Sequence, residues 1–218
     1  MRKILNTIIN ALVWPFALLY PAKLALRVNL ICNQFYAAYL KHKFKKASTI
    51  TVHQSPVLVR GGQYIELGED VTFNFYARIE AVDRYVTGQR FTPQLILGDH
   101  VIVQALCHIG CINKVVVGKH TSLGQRTYVT DHIHGEVTLE NLNKPHTERN
   151  LYSKGPVIIG EYVQVGENCS IMPGVTIGDH CVIGANSVVT RDIPPYSIAA
   201  GVPAKVLKTF DPAEATQA

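Results

Sequence analysis

From Leu67 onward an aliphatic or aromatic side chain recurs every sixth residue. The longest unbroken series is Ile159, Val165, Ile171, Ile177, Ile183 and Val189. Shorter ones are Leu67, Phe73, Ile79; Leu97, Val103, Ile109; and Val117, Leu123, Val129. A period of six is neither the 3.6 of a helix nor the alternation of a simple strand. Three such repeats close one triangular coil of about 18 residues, a repeat unit that buries its core only by stacking on its neighbours. The six-spaced residue points inward and meets its counterpart in the next coil at the strand spacing of about 4.7–4.9 Å. Small or β-branched residues four positions later (Val101, Thr121, Val163, Cys169, Val175, Cys181) fill a second inward site. Glycine often follows the aliphatic residue, as in Leu97-Gly98 and Ile177-Gly178, where a corner is expected to need permissive backbone angles.

This pattern predicts an all-β fold, a parallel β-helix over residues 67–194, with coils at 67–84, 97–114, 117–134, 159–176 and 177–194. An ordinary sandwich with Gly-rich turns does not account for six repeats in register. Residues 85–96 interrupt the period briefly and 135–158 at length. A long repeat-free stretch inside a solenoid is uncommon and often functional. Residues 47–66 carry no clear period and read as a transition, and 195–218 as a C-terminal tail.

Residues 1–46 form an N-terminal helical appendage. An apolar run from Ile4 to Leu19, interrupted by Asn6, Thr7 and Asn10, contains Pro15 and is stopped or kinked at Pro21. A second run from Ala22 ends in Lys41, Lys43, Lys45 and Lys46. The first run is too short and polar-interrupted for a clean membrane span, and it lacks a signal-peptide cleavage site. Two readings stand: an interfacial helix pair anchored by Trp14, Phe16 and Tyr20, which the basic flanks favour, or a cap packed on the β domain or on a neighbouring subunit.

Charge sharpens the division. Nine basic residues and no acidic one precede Glu66, so the net charge of +5 belongs to the N-terminal segment, and the rest of the chain is net acidic. That favours an anionic surface as the partner of residues 1–46, and nucleic acid is not an expected partner. Hydrophobic residues at 47 % and charged residues at 17 % describe a folded chain. Five scattered cysteines build no disulfide framework and suit a reducing, cytoplasmic setting, peripheral to the inner face of a membrane if the helices bind one.

The motifs PGVTIG, IGANSVVTRDIPP and AAGVPAKV within Ile159–Lys208 are distinctive. Over about 67–208 the chain resembles the hexapeptide-repeat acetyltransferases, in the branch that modifies sugars and xenobiotics. The DHIHG segment from Asp131 and Ser153-Lys154-Gly155-Pro156 resemble members acting on polysaccharide or lipopolysaccharide sugars. The resemblance implies a left-handed β-helix, a homotrimer, acetyl-CoA as donor, and a sugar or glycan as acceptor. It puts the catalytic histidine at His132. Cofactor contacts carry over to Glu167, Ala185, Thr190, Arg191, Lys205 and Lys208. Acceptor contacts carry over to Asn74, or to Gln104 as its equivalent one coil on. The chain departs from the family at Gln164, where many members have Trp, and at Glu167, where small polar residues are common.

Transfer of an acyl group from a thioester to a hydroxyl needs a base, and a neutral imidazole suits neutral pH. His132 is the expected base, with His134 expected to bind the acceptor. Asp131, as the direct neighbour of His132 on an extended segment, is expected to point the other way. His120 and His180 read as solvated, His108 as structural, and His146 as able to reach a substrate from the long loop. Zinc would need three imidazoles in reach, such as His108, His132 and His134. The paired-histidine spacing of zinc-binding β-helices is absent, so no metal is expected.

Overall fold

The computed structural model describes residues 2–19 and 22–213. Tyr20, Pro21 and 214–218 lie outside the described residues, as does the side chain of Phe16, and with them the anchor expected at Phe16 and Tyr20 and the stop expected at Pro21.

Three sheets of parallel strands form the walls of a left-handed triangular helix. Inward ladders run the length of each wall. Leu67, Leu97, Val117, Ile159 and Ile177 are mutual partners in sheet 1. Phe73, Val103, Leu123, Val165 and Ile183 align in sheet 2. Ile79, Ile109, Val129, Ile171 and Val189 align in sheet 3. All are buried. Each such side chain contributes about 1.5–3 kcal/mol by burial, so the periodic residues hold the coils together.

The β-helix extends past both ends of the six-residue period. Lys46–Ala47, Ile50–Val52 and Leu58–Arg60 form a first coil, where the sequence reads as a transition. Ala47, Val52 and Val59 pair with Leu67, Phe73 and Ile79. Their spacings of five and seven instead of six and six hide the coil from a periodicity test. At the other end Ser197–Gly201 adds a strand to sheet 2, and Ala204–Thr209 folds back on it antiparallel. The region read as a tail therefore closes the solenoid as far as Thr209.

The repeat glycines serve a different purpose from the one expected. None of Gly98, Gly118 or Gly166 has positive φ; the left-handed residues are His100, His120 and Asn168, two positions on. What excludes a side chain is the next coil. A Cβ at Gly98 would lie 2.8 Å from the Lys119 nitrogen, and one at Gly118 or Gly166 2.5 Å from backbone of the following coil. At the corner between sheets 1 and 2, the left-handed residues build an aromatic stack. His100, His120, Tyr162, His180 and Tyr196 follow one another with ring centroids 4.7–5.0 Å apart. His120 and His180 are exposed but stacked, rather than simply solvated.

Helix α2 (Ala22–Lys41) caps the first coil. Its buried Asn33, Ala37 and Leu40, continued by Phe44, recur at helical spacing and cover the open end of the core. Phe44 stacks on Phe73, and the Tyr36 hydroxyl donates to the Val57 carbonyl at 2.8 Å. So the cap reading holds for α2. Helix α1 (Arg2–Leu19) instead leaves Ile4, Leu5, Ile8, Ile9 and Leu12 exposed. No helix among the described residues is long and apolar enough to cross a membrane.

Cys107, Cys111, Cys169 and Cys181 occupy inward positions, and Cys32 is exposed. Burial raises the thiol pKa of all four core cysteines, that of Cys107 to about 11. Since the thiolate is the reactive form, a disulfide reagent should titrate one thiol quickly in the native protein and all five after denaturation. Rapid modification of several native thiols would contradict this packing.

Candidate active site

The two interruptions of the period fall at one corner, between sheet 3 and sheet 1, and they meet there. The loop after Arg78–Ala81 reaches the loop after Tyr128–Thr130. Gln89 pairs with the Leu151 backbone, donating at 3.0 Å and accepting at 2.6 Å. Val82, Ile112 and Leu151 form a small apolar cluster beneath, flanked by Tyr85 and Phe91. Ile133–His134 pairs antiparallel with Leu151–Tyr152, folding the long loop back over the corner. The roof encloses a cleft of about 320 Å³ against the outer face of sheet 3, with His132 and His134 in its lining.

His132 stands two residues past the end of a strand at Thr130, just after a bend at Asp131. The bend turns the Asp131 carboxylate toward its neighbour, contrary to the strand-alternation expectation: His132 Nδ1 lies 2.8 Å from Asp131 Oδ1. Asp131 is fully buried and also accepts from the backbone N–H groups of Ile112 and Asn113, the latter at 2.7 Å. It is thus held as an acceptor on every side. A carboxylate acceptor at Nδ1 selects the tautomer that carries its proton there and leaves Nε2 free. Thr130 Oγ1 fixes the backbone of the bend, donating to the His132 carbonyl at 3.0 Å. Gly110 makes room for the ring: a Cβ there would lie 3.3 Å from His132 Cε1.

Around this pair stand His134 and His146, both expected near a substrate, and His108, Glu80, Arg78 and Tyr85, which sequence reasoning gave no site role. His108, expected to be structural, lines the cleft with its Nε2 3.0 Å from Glu80 Oε2. Glu80 also pairs with Arg78 at 2.8 Å. The His108 hydrogen bond, followed by that of Arg78, lowers the Glu80 pKa to about 2. The Tyr85 hydroxyl lies 2.9 Å from His134 Nδ1, and His146 packs edge-on against His134 with centroids 5.6 Å apart. Burial, then the neighbouring His132 and His146, lower the His134 pKa, which favours its neutral form. The signal for these residues was present but indirect. Arg78, Glu80, His108 and Tyr128 sit at outward positions of sheet 3 in adjacent coils, which the six-residue register places side by side.

The remaining candidates fall on two other parts of the surface and on the His132 corner. Asn74 and Gln104 do stack in adjacent coils, Asn74 Nδ2 donating to Gln104 Oε1 at 3.0 Å. They lie at the corner between sheets 2 and 3, away from His132 in the same chain, as do Glu167 and Ala185. Glu167 is paired with Arg126 at 3.5 Å, and Gln164 is exposed on sheet 2. Thr190 and Arg191 are exposed at the His132 corner. The partners Val129, Ile171 and Val189 set them two strand spacings along, about 9.6 Å. Lys205 and Lys208 lie on the terminal strand, Lys208 with its Nζ 4.2 Å from the Phe210 ring centroid. Among the described residues no group of three or more His, Cys, Asp or Glu is disposed to hold a metal.

The fold is a left-handed β-helix built on six-residue repeats, an architecture found among acyl-transferring enzymes. The bacterial transferase hexapeptide (six repeats) family model matches residues 156–191. The chain is 35 % identical over 160 residues to the putative lipopolysaccharide biosynthesis O-acetyl transferase WbbJ of Escherichia coli (strain K12), covering 72 % of this chain and 77 % of that protein. It is 37 % identical over 100 residues to the galactoside O-acetyltransferase of the same organism, covering 45 % and 49 % of the two chains. A solved structure of AntD, an N-acyltransferase from Bacillus cereus in complex with dTDP and coenzyme A, superposes with a TM-score of 0.63 over 83 % of this chain and 91 % of that one. At 17 % identity it shows the shared fold. The chain belongs to the hexapeptide-repeat acyltransferase family.

Proposed function

We propose that this protein transfers an acetyl group from acetyl-CoA to a hydroxyl of a sugar, in a surface glycan or its lipid-linked precursor, with His132 as general base. The observation that carries the reading is the Asp131–His132 pair in the roofed cleft. Bound acetyl-CoA supplies the activated acyl carbonyl. His132 Nε2 takes the proton of the attacking hydroxyl as the new C–O bond forms, and the same proton is available to the departing thiolate. Neutral His134, tied to Tyr85, hydrogen-bonds the acceptor sugar. Thr190 and Arg191 fit the donor, being exposed on the same corner, with Arg191 offering a cation to its phosphates.

Glu167, Ala185, Asn74 and Gln104 lie on a different corner from His132, so one chain does not bring both sets to one ligand. Two copies placed corner to corner would, which supports the homotrimer as the working assembly. The test is acetyl-CoA turnover against nucleotide sugars, lipid-linked sugars and finished glycans, read by product mass. Acetyl ester on a sugar hydroxyl is expected; acetylation only of amines, or of no sugar, would overturn the reading.

The same proposal places the enzyme on the cytoplasmic side of a membrane, held by residues 1–46. On α1 the apolar residues 4, 5, 8, 9 and 12 make one stripe, and the segment is basic without an acidic residue. Because α2 seals the core, the informative deletion stops short of it. A variant lacking residues 1–21 should bind phosphatidylglycerol vesicles at least about tenfold more weakly than the full chain, and full-chain binding should fall with salt. Equal binding by both proteins would count against membrane contact through α1.

A further inference from the structure

The cleft at His132 does not end at the roof. Its lining residues Arg60, Arg78 and Glu80 also line a second cavity of about 700 Å³, which runs on to α2. The register sets the two cavities side by side. On the outer face of sheet 3, Leu58, Arg78, His108 and Tyr128 form one row and Arg60, Glu80, Gly110 and Thr130 the next. A ligand seated at His132 therefore has a straight path of three strand spacings, about 14 Å, to the edge of the cap. Around Arg60 the wall under α2 has an apolar part, Leu58, Val59, Tyr39 and Leu40, with Lys43 and Gln63 beside it.

The charge along this path is uneven. Glu80 is committed to His108 and Arg78, and its side chain is 15 % exposed. Arg78 keeps half of its side chain in solvent. Among the ion pairs of the described residues none involves Arg60 or Lys43. Among the described residues the Arg60 side chain donates only to the Arg84 carbonyl, at 3.3 Å, and Lys43 lies 4.8 Å from the Tyr39 ring centroid. The path thus presents two guanidinium groups with donors to spare, Arg78 two strand steps and Arg60 three from the coil of the imidazole. Guanidinium forks suit phosphate oxygens.

We propose that Arg60 and Arg78 form a diphosphate subsite, so that the acceptor is a sugar 1-diphosphate, its sugar at His132 and its remaining substituent against the apolar wall under α2. This rests on the acetyl-transfer reading above and narrows its acceptor class. A nucleoside or a prenyl chain could fill the apolar end; the diphosphate is common to both. A finished glycan without a diphosphate would leave the two arginines unused.

The test is equilibrium binding, which does not depend on turnover. Calorimetry of the full chain, with coenzyme A saturating so that the donor's own phosphate contacts are filled, would compare three probes: UDP-glucose, a short-chain prenyl diphosphate glucose, and methyl glucoside. One diphosphate probe or both should bind far more tightly than the glucoside, and inorganic pyrophosphate should compete. R60Q/R78Q should lower that affinity at least about 30-fold, given the strength of charge-assisted hydrogen bonds. R60K/R78K should recover part of it. Coenzyme A titrated into each variant reports whether the fold and donor site persist. Tighter binding of the nucleotide or of the prenyl probe identifies the source. Equal affinity for glucoside and diphosphates, or unchanged diphosphate affinity in R60Q/R78Q with coenzyme A binding intact, overturns the subsite. Failure of acetyl transfer with diphosphate binding intact would count against the transfer reading and leave the subsite standing.

Discussion

Replacing His132 by alanine should lower kcat/KM for acetyl transfer about 10³-fold, within the 10²–10⁴ range that a positioned general base supplies. The loss should fall mainly on kcat, because proton removal matters in the transition state more than in the bound complex. The fold should survive. The His132 side chain lies outside the three inward ladders, and its removal exposes Asp131 from one side only, where the Ile112 and Asn113 amides still satisfy it. Thermal melting and coenzyme A binding near those of the parent would show that the variant is intact. His134 offers a sharp contrast. Its lowered pKa keeps it neutral, and its ring is held by Tyr85 rather than by a carboxylate. An alanine there should raise the acceptor KM more than it lowers kcat. A reversed pattern, with H132A active and H134A dead, would move the base to His134.

Much of the fold was legible because six-residue periodicity is a direct image of coil stacking. Each inward residue in a series such as Ile159 to Val189 must match the one 18 positions away, and a sequence records that constraint openly. The first coil was not legible because its corners are unequal, five residues and then seven between Ala47, Val52 and Val59. The closing hairpin was missed for a similar reason: Ser197 and Ala199 are small inward residues outside the aliphatic pattern. The repeat glycines were seen, but their cause was misread, since the crowding comes from the following coil and not from their own φ.

The candidate site was legible only in part. The position of His132 at a coil end followed from the repeat and the family motif. Its carboxylate partner did not, because alternation holds within a strand and the strand ends at Thr130. Nor could a linear reading pair the two interruptions. Residues 85–96 and 135–158 lie far apart in sequence, yet two whole coils between them bring both to one corner, where Tyr85 meets His134 and Gln89 meets Leu151. Arg60 and Arg78 became visible as a pair only through the register of sheet 3, since Arg60 lies in the coil the periodicity hid.

Substituting Asp131 by asparagine should cost nearly as much activity as losing His132, for a reason the hydrogen bonds spell out. The carboxylate accepts from His132 Nδ1 at 2.8 Å, from the Ile112 amide at 3.0 Å and from the Asn113 amide at 2.7 Å. An asparagine has one accepting atom. If its NH2 faces His132, Nδ1 must accept, the ring proton moves to Nε2, and the base is lost. If its NH2 faces Asn113, two donors oppose each other in a fully buried site, which costs about 1–3 kcal/mol. D131N is therefore expected to lower kcat about 10²–10³-fold and also to lower Tm, whereas H132A lowers kcat alone. The double variant separates a positioning role from an independent one. If Asp131 acts through His132, D131N/H132A should be no less active than H132A, because groups that work as a unit do not contribute additively. Losses that multiply in the double variant, or a D131N enzyme with unaltered kcat, would show that the pair is structural and that the proton leaves by another route.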